Sequence, residues 1–447
     1  MVHCDDSAPM SVRDPGSGVD REGASGSGIR AYGMLILMLV VASVVPARAD
    51  GGRDTQLALA GANRSEIARA LELVPKSQRT GMEFLVRNMP EVDLRSVTAE
   101  FLLDEVQVGY RAWYESPWHD QVPESVFFND ILPYAVVSEE RTPSRRYLRA
   151  RALPLIGDAK TATEAAVRLN QTLFPEFGVR YSTERSRTDQ NAMQVLEEQK
   201  ATCTGLSTLL ISACRSVGVP ARLVGIPLWA DSSGNHSWVE IWDHGWHFTG
   251  AAEPSGDHLD DGWFVERASQ AQPGVPIHSI YATSWEKTGL SFPLAWDEDG
   301  SLGYVQAIDV TGRYAGAAPT PAGMARVEFV VRDEDGRRVP TEVVVRRESG
   351  HVAGEAIVFR GVTRDDGADG NDHLAALLPL QGSYVVEWGS AEPRPSREIV
   401  PVDGMLVDLD SASGNTPPSE TAKADDLRGA GERRNDAVPR WGRPAGR

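Results

Sequence analysis

The sequence predicts an α+β protein in which a helix packs on an antiparallel sheet, with helices before this core and a β-sandwich after it. Residues 50–150 carry apolar side chains at helical spacing, for example from Ile67 to Leu73. A helical stripe that begins at Cys203 is followed by two short alternating segments typical of a β-hairpin. In residues 324–410, short β-branched runs alternate with Gly, Pro and Asp turns, a pattern typical of a small sandwich.

Composition divides the chain into five segments. Residues 50–150 are rich in Leu, Arg and Glu, whereas the C-terminal end is rich in Pro, Gly and charge with few apolar residues. We therefore expect a signal peptide with a possible mis-annotated leader in 1–49, a helical region in 50–150, a core domain in 151–320, a β-sandwich in 324–410 and a disordered tail in 411–447.

The N-terminal segment has the pattern of an export signal. Residues 34–45 are almost wholly apolar, and small residues before Asp50 form a cleavage site. The apolar run is too short for a membrane span. A retained anchor is the alternative, and translation could begin downstream of Met1, at Met10 or Met34. The pattern predicts a secreted or periplasmic protein with no integral membrane span after cleavage.

The net charge limits the classes of binding partner, and the cysteine content limits the possible disulfides. The formal net charge of −18 argues against nucleic acid and anionic lipid as partners. Removal of the signal removes Cys4 and leaves Cys203 and Cys214. On one helix these two lie about 16 Å apart along the axis, too far for a disulfide. The sequence does not set the oligomeric state.

Cys203 is the first candidate functional residue. Apolar positions recur from Leu206 to Val217 at helical spacing, and Gly218 followed by Pro220 gives a typical helix end. Cys203 therefore lies at the N-terminus of the predicted helix, where unpaired N–H groups and the helix dipole favour a thiolate. Cys214, in the middle of the same helix, is interpreted as a buried apolar residue.

His236 is the second candidate. It begins a predicted strand, which a turn at residues 243–245 connects to a return strand at Trp246. A helix that delivers a thiol onto a hairpin carrying an imidazole is a workable arrangement of nucleophile and base. Without Cys203, His236 would be interpreted as an ordinary strand histidine.

These elements resemble the core of the transglutaminase-like superfamily, in a secreted bacterial form. The resemblance rests on Cys203 at a helix start, the His-Ser-Trp strand at His236 and the Gly-Trp return strand at Trp246, and it covers residues 150–255. That superfamily has a papain-like cysteine architecture and includes crosslinking transglutaminases, peptide N-glycanases and many bacterial proteins regarded as proteases. The resemblance implies a papain-like core with Cys203 as nucleophile, His236 as base, and a protein or peptide substrate.

The residue that would complete the family's set of Cys, His and Asp departs from the family pattern in this chain. The family places an Asp four positions after the return-strand Trp, but this chain has Gly250 there. The first carboxylate that follows is Glu253, next to Ala252, which would pair opposite His236 if the strand continued. We expect Glu253 to orient the imidazole, since the strand should end near Pro254 and free the side chain to turn. The further options are Asp257, Asp260 and Asp261.

The sequence predicts no cofactor and no metal. Neither Cys-x-x-Cys nor paired His spacing occurs, which argues against zinc. Residues 365–372 are acidic enough for calcium but lack the spacing of a helix-loop-helix calcium site, so a plain turn is favoured.

The expected reaction is acyl transfer from an amide through a Cys203 thioester, with hydrolysis by a protease or deamidase favoured over crosslinking. The backbone N–H of Cys203 is the expected oxyanion donor; Gln194 and Gln199 are weaker candidates that more commonly cover a solvated helix face. The alternative is a decayed core that serves as an extracytoplasmic peptide- or wall-binding scaffold. Reaction type and substrate stay open at this point.

Overall fold

Six helices form the N-terminal part of the described chain. The computed structural model describes residues 51–316, 321–347, 357–370 and 372–411. Thr98 caps the longest of these helices, because its side chain accepts a hydrogen bond from the backbone of Phe101. The helices are α1 Gly51–Leu59, α2 Arg64–Leu73, α3 Arg79–Asn88, α4 Glu91–Leu94, α5 Ala99–Glu115 and α6 Glu124–Asp130.

The central part contains a five-stranded sheet with the strand order β5-β4-β3-β6-β7, antiparallel throughout. One helix, α10, packs against β3 and β4 of this sheet. The elements are α7 Arg145–Ile156, α8 Ala162–Phe177, β1 Arg180–Tyr181, α9 Ala192–Glu198, β2 Lys200–Ala201, α10 Cys203–Ser216, β3 Ala221–Ile226, β4 His236–Trp242, β5 Trp246–Thr249, α11 Val265–Ser269, β6 Tyr281–Ser284, β7 Gln306–Asp309 and α12 Thr311–Tyr314.

Helix α10 begins at Cys203, as predicted, and is buried along nearly its whole length. Cys214 lies near the C-terminal end of this helix rather than in its middle, and it is fully buried, which confirms its interpretation as a core residue. The chain turns at Gly218, whose φ is +84° and whose added Cβ would lie 2.3 Å from the carbonyl oxygen of Ala112. Only glycine tolerates both the positive φ and this approach. The predicted end of the helix is therefore confirmed.

The sheet register corrects one expectation about the return strand. In β3 and β4, Ile226 pairs with His236. In β4 and β5 the pairing ends at Val239 with Thr249, so Ala252 does not pair opposite His236. Beyond Thr249 the chain folds back on itself, and Ala252 takes a φ of +65°. The strand thus stops earlier than the extrapolated register assumed.

The C-terminal part is a β-sandwich of a four-stranded sheet, β10-β9-β12-β13, and a three-stranded sheet, β11-β8-β14. Alternating side chains of both sheets enclose a separate apolar core that includes Val345, Tyr384 and Val386. The strands are β8 Met324–Arg332, β9 Glu342–Arg347, β10 Ile357–Val362, β11 Leu374–Pro379, β12 Tyr384–Trp388, β13 Ser396–Ile399 and β14 Met405–Asp410. The predicted α+β class, with helices before the core and a sandwich after it, is confirmed.

Ion pairs join the sandwich to the central part. Glu328 of β8 accepts a hydrogen bond from Arg267 of α11 at 2.7 Å, and Arg326 of β8 pairs with Glu266. The described residues fall within one compact unit. The sandwich is therefore placed to contribute side chains to the central part.

Two predicted segments lie outside the described residues: the signal peptide of 1–49 and the tail of 411–447, apart from residue 411. Among the helices that the structure describes, none combines the length and the apolar character needed to cross a membrane.

Candidate active site

The N-terminus of α10 and the start of β4 bring Cys203 and His236 together. The sulfur of Cys203 and a ring nitrogen of His236 lie within 4.8 Å of each other. The two side chains meet because α10 packs on β4 and each residue is the first of its element. A thiol and an imidazole brought together in this way are the two groups that a nucleophile and its base would require.

The imidazole of His236 lies in an aromatic enclosure and is 2% exposed. Its ring centroid is 4.7 Å from that of Trp263 and 5.0 Å from that of Phe264, and Trp229 and Trp238 stack at 6.1 and 5.9 Å. Neither ring nitrogen has a hydrogen-bond partner among the described residues. The enclosure fixes the plane of the ring by packing alone.

A carboxylate from the sandwich reaches this site. The Oδ2 atom of Asp369, in the loop between β10 and β11, lies 3.7 Å from Nδ1 of His236. Arg338 holds this loop in place, because its Nη1 donates to the carbonyl oxygens of Asp369 and Asp372 and its Nη2 to that of Ala368. The acidic stretch that the sequence presented as a plain turn therefore delivers a side chain to Cys203 and His236.

Sequence reasoning missed Asp369. The only signal was the density of acidic residues in 365–372. That density suggests a calcium loop, and nothing in the sequence connects it with the distant Cys203. Periodicity and local spacing describe neighbours along one element, whereas Asp369 approaches from a loop of the sandwich, between β10 and β11.

The environment of Cys203 raises the pKa of its thiol to about 12. Burial is the largest cause, and the charge of Asp369 adds to it, while backbone hydrogen bonds from Ser237 and Thr204 act in the opposite direction. Cys203 as a residue is partly exposed to solvent. The expectation that the helix N-terminus would lower this pKa is wrong for the conformation described, because desolvation outweighs the helix end.

The N-terminus of α10 keeps its first N–H groups free of side-chain capping by the N-cap residue, Thr202. The hydroxyl of Thr202 instead accepts a hydrogen bond from Arg185 at 2.9 Å. The two weaker oxyanion candidates are engaged elsewhere: Gln194 completes a capping box at the start of α9, and Gln199 donates to the carbonyl of Phe177. The backbone at Cys203 remains the candidate oxyanion donor.

Glu253 lies where the family's Asp side chain would start. A Cβ built on Gly250 would be 2.3 Å from Oε2 of Glu253. This oxygen accepts a hydrogen bond from Nε1 of Trp263 at 2.8 Å, and the Trp263 ring packs on His236. Burial, followed by the charges of Asp369 and Asp372, raises the pKa of Glu253 well above its usual range. Among the ion pairs of the described residues, His236 pairs with Asp369 and not with Glu253.

The other three candidate carboxylates bond elsewhere. Asp260 contacts Nδ1 of His247 at 2.6 Å, Asp257 accepts from Gln171, and Asp261 lies near His258. The structure therefore brings none of the three into a described contact with His236.

A cavity of about 330 Å³ opens beside Cys203. Thr202, Thr204, Asn235 and Asp369 line it together with the thiol. The largest of the described cavities, about 700 Å³, lies elsewhere around Asp93, Arg141 and Tyr304, and Cys203 does not line it. The smaller cavity is thus the candidate substrate site, because among the described cavities it is the one that Cys203 lines.

A cysteine at the N-terminus of a buried helix, facing a histidine on an antiparallel strand, defines a papain-like cysteine core. Residues 149–264 match the family model described as the transglutaminase-like superfamily. The resemblance stated from the sequence is confirmed.

Solved structures show more distant similarity. A protein from Cytophaga hutchinsonii, solved as a candidate cysteine protease, is 18% identical over 26% of this chain and 40% of its own, with a TM-score of 0.22. The transglutaminase of red sea bream is 9% identical over 66% of this chain and 58% of its own, also with a TM-score of 0.22. The chain thus spans less than two thirds of either protein. Comparison with curated proteins found no match.

Proposed function

We propose that the chain is a cysteine-dependent acyl-transfer enzyme that acts on amides of proteins or peptides, with hydrolysis favoured over crosslinking. The observation that carries the proposal is the meeting of the Cys203 sulfur and a His236 ring nitrogen within 4.8 Å, in a domain of transglutaminase-like type. The predicted signal peptide would place the enzyme outside the cytoplasm.

The first half of the reaction forms a thioester. As the sulfur of Cys203 attacks the amide carbon, His236 takes the thiol proton, so the buried thiol need not be ionised beforehand. The carbonyl oxygen becomes an oxyanion that accepts a hydrogen bond from the backbone N–H of Cys203. When the C–N bond breaks, His236 passes its proton to the leaving amine.

The second half returns the free enzyme. Water loses a proton to His236 and attacks the thioester carbon; the C–S bond breaks, the acid leaves, and Cys203 recovers its proton. An amine in place of water would give crosslinking. Support for hydrolysis comes from the partial exposure of Cys203 beside an open cavity, which would admit water.

Glu253 is the proposed positioning residue for His236. Its carboxyl group fills the space in which a side chain at Gly250 would begin, and it holds Trp263 by a hydrogen bond of 2.8 Å. Because the Trp263 ring packs on the imidazole, Glu253 would orient His236 through Trp263 rather than by direct contact.

A non-catalytic scaffold is the second candidate, and a specific observation favours it. The carboxylate of Asp369 lies beside the thiol and contributes to its raised pKa, which is unfavourable for a nucleophile. In that case the cavity would bind peptides or wall fragments without turning them over.

Peptide profiling separates the two candidates. The full-length chain, freed of metal with EDTA, is incubated with a defined peptide pool, and the products are analysed by mass spectrometry. Cleavage, a gain of about one dalton from deamidation, or incorporation of an added amine would each name the reaction. We expect turnover by the unmodified chain and by Cys214→Ala, and none by Cys203→Ser. Unchanged peptides with all three proteins would favour the scaffold.

A further inference from the structure

We propose that Cys203, His236 and Asp369 form a binding site for a single transition-metal ion, with Zn²⁺ as the ion that the ligand chemistry favours. One ligand atom from each residue lies within 4.8 Å of the other two. The site stands on this geometry and does not depend on the proposed reaction.

The distances suit a tetrahedral ion after a small adjustment. Zn²⁺ binds sulfur at about 2.3 Å and nitrogen or oxygen at about 2.0 to 2.2 Å, so tetrahedral ligand atoms lie about 3.3 to 3.6 Å apart. Nδ1 of His236 and Oδ2 of Asp369 are 3.7 Å apart, and the ligand atom of each of the three residues lies within 4.8 Å of the other two. Closing the remaining separation requires side-chain movements of about an ångström.

The unpaired ring nitrogens of His236 are a second, independent indication that an ion binds here. The residue is 2% exposed, and both of its ring nitrogens lack a hydrogen-bond partner among the described residues. Leaving a buried polar group unpaired is unfavourable, and a bound water or ion is one explanation for such a group in a native protein. An ion between His236 and Asp369 would satisfy one of these nitrogens.

The donor set selects the class of ion. Sulfur, imidazole nitrogen and carboxylate oxygen together suit Zn²⁺, whereas Ca²⁺ and Mg²⁺ take oxygen ligands. A thiolate and a carboxylate would balance the two positive charges of the ion. The cavity beside Cys203, about 330 Å³, leaves room for water as the fourth ligand.

Three parts of the fold supply the ligands. Cys203 begins α10, His236 begins β4, and Asp369 belongs to the loop that Arg338 holds in the sandwich. Because these ligands lie far apart in the sequence, the absence of closely spaced cysteines and histidines does not exclude a zinc site. A bound ion would tie the sandwich to the core and cover the sulfur of Cys203.

Cobalt titration tests the site. Co²⁺ takes the same ligands as Zn²⁺, and a cobalt–thiolate bond gives a charge-transfer band in the near ultraviolet. The metal-free full-length chain is titrated with Co²⁺ and then with Zn²⁺. We expect one Co²⁺ per chain with a thiolate band that Zn²⁺ removes, the same result for Cys214→Ala, and no band for Cys203→Ser. Asp369→Asn should weaken binding by at least about tenfold.

Three results would overturn the site: no thiolate band in the unmodified chain, a band that survives Cys203→Ser, or unchanged affinity in Asp369→Asn. Circular dichroism of each variant identifies a misfolded protein, and the near-isosteric Asp369→Asn keeps the test decisive if another variant fails to fold. Peptide turnover is measured separately in EDTA, so loss of the metal site and loss of the proposed reaction are distinguishable.

Discussion

At the scale of single residues, the packing around His236 determines how the site can work. Trp229, Trp238, Trp263 and Phe264 hold the ring without a hydrogen bond to either nitrogen. The low polarity of this enclosure strengthens any charge interaction that forms during reaction. The residues that can adjust the imidazole are those that touch its aromatic neighbours.

Glu253 gives a residue-scale prediction. Glu253→Ala should lower kcat on the order of 10²-fold with little change in KM, because Trp263 loses the acceptor that holds it against His236. The double variant Gly250→Asp with Glu253→Ala should recover most of the loss, since the new carboxylate would grow into the space that Glu253 leaves. Steady-state kinetics on a peptide found by profiling checks both. A double variant no faster than Glu253→Ala would contradict the positioning role.

At the scale of elements, β3, β4 and α12 are locked together by a buried charge cluster. Glu240 is 1% exposed and accepts hydrogen bonds from Arg222 at 2.6 Å, from Arg313 at 2.8 Å and from Tyr314 at 2.9 Å. Because Glu240 follows His236 on the same strand and the same face, this cluster sets the position of the strand that carries the proposed base.

Glu240→Ala should destabilise the protein by about 3 to 5 kcal/mol, because it leaves the buried Arg222 without its carboxylate partner. Urea denaturation measures the loss. The exposed pair of Glu91 and Arg95 provides the control, and Glu91→Ala should cost less than about 1 kcal/mol. Equal losses in the two variants would show that the cluster does not hold the sheet.

The helices and strands were largely predictable from the sequence, and the features that were not predictable have physical reasons. The start of α10 at Cys203, its end before Gly218 and strands β3 and β5 follow from apolar period and turn chemistry, which act between near neighbours. The course of the chain after Thr249 could not be predicted in this way, because the chain folds back with a positive φ at Ala252 and so interrupts the alternating pattern of the strand. The position of Asp369 near Cys203 and His236 could not be predicted, because it depends on how the sandwich packs against the central part of the protein.

At the scale of the whole molecule, the junction between the sandwich and the core depends on charge. Glu328 of β8 accepts hydrogen bonds from His373 at 2.9 Å, from Arg267 at 2.7 Å and from Arg326 at 3.0 Å. Burial alone would raise the pKa of Glu328, but its hydrogen bond with His373 and the charges of the two arginines outweigh burial and hold the pKa at about 2.

This lowered pKa predicts acid sensitivity. A carboxyl group whose folded pKa lies below its ordinary value of 4.5 stabilises the fold above that value and loses the contribution as pH falls toward about 2. Between these pH values the unmodified chain should lose up to about 3 kcal/mol more stability than Glu328→Gln. Urea denaturation at a series of pH values checks this. Parallel pH profiles for the two proteins would show that the junction does not contribute.

The central claim is that Cys203 forms a covalent acyl intermediate with His236 as its base. The most direct measurement is acid quenching of a reacting mixture of enzyme and peptide, followed by mass spectrometry of the digested enzyme. We predict an acyl group on the Cys203 peptide that hydroxylamine removes, present in Cys214→Ala and absent in His236→Ala, together with turnover reduced at least about 10³-fold in Cys203→Ser. Turnover that persists in Cys203→Ser, or an acyl group found on Cys214, would contradict the account.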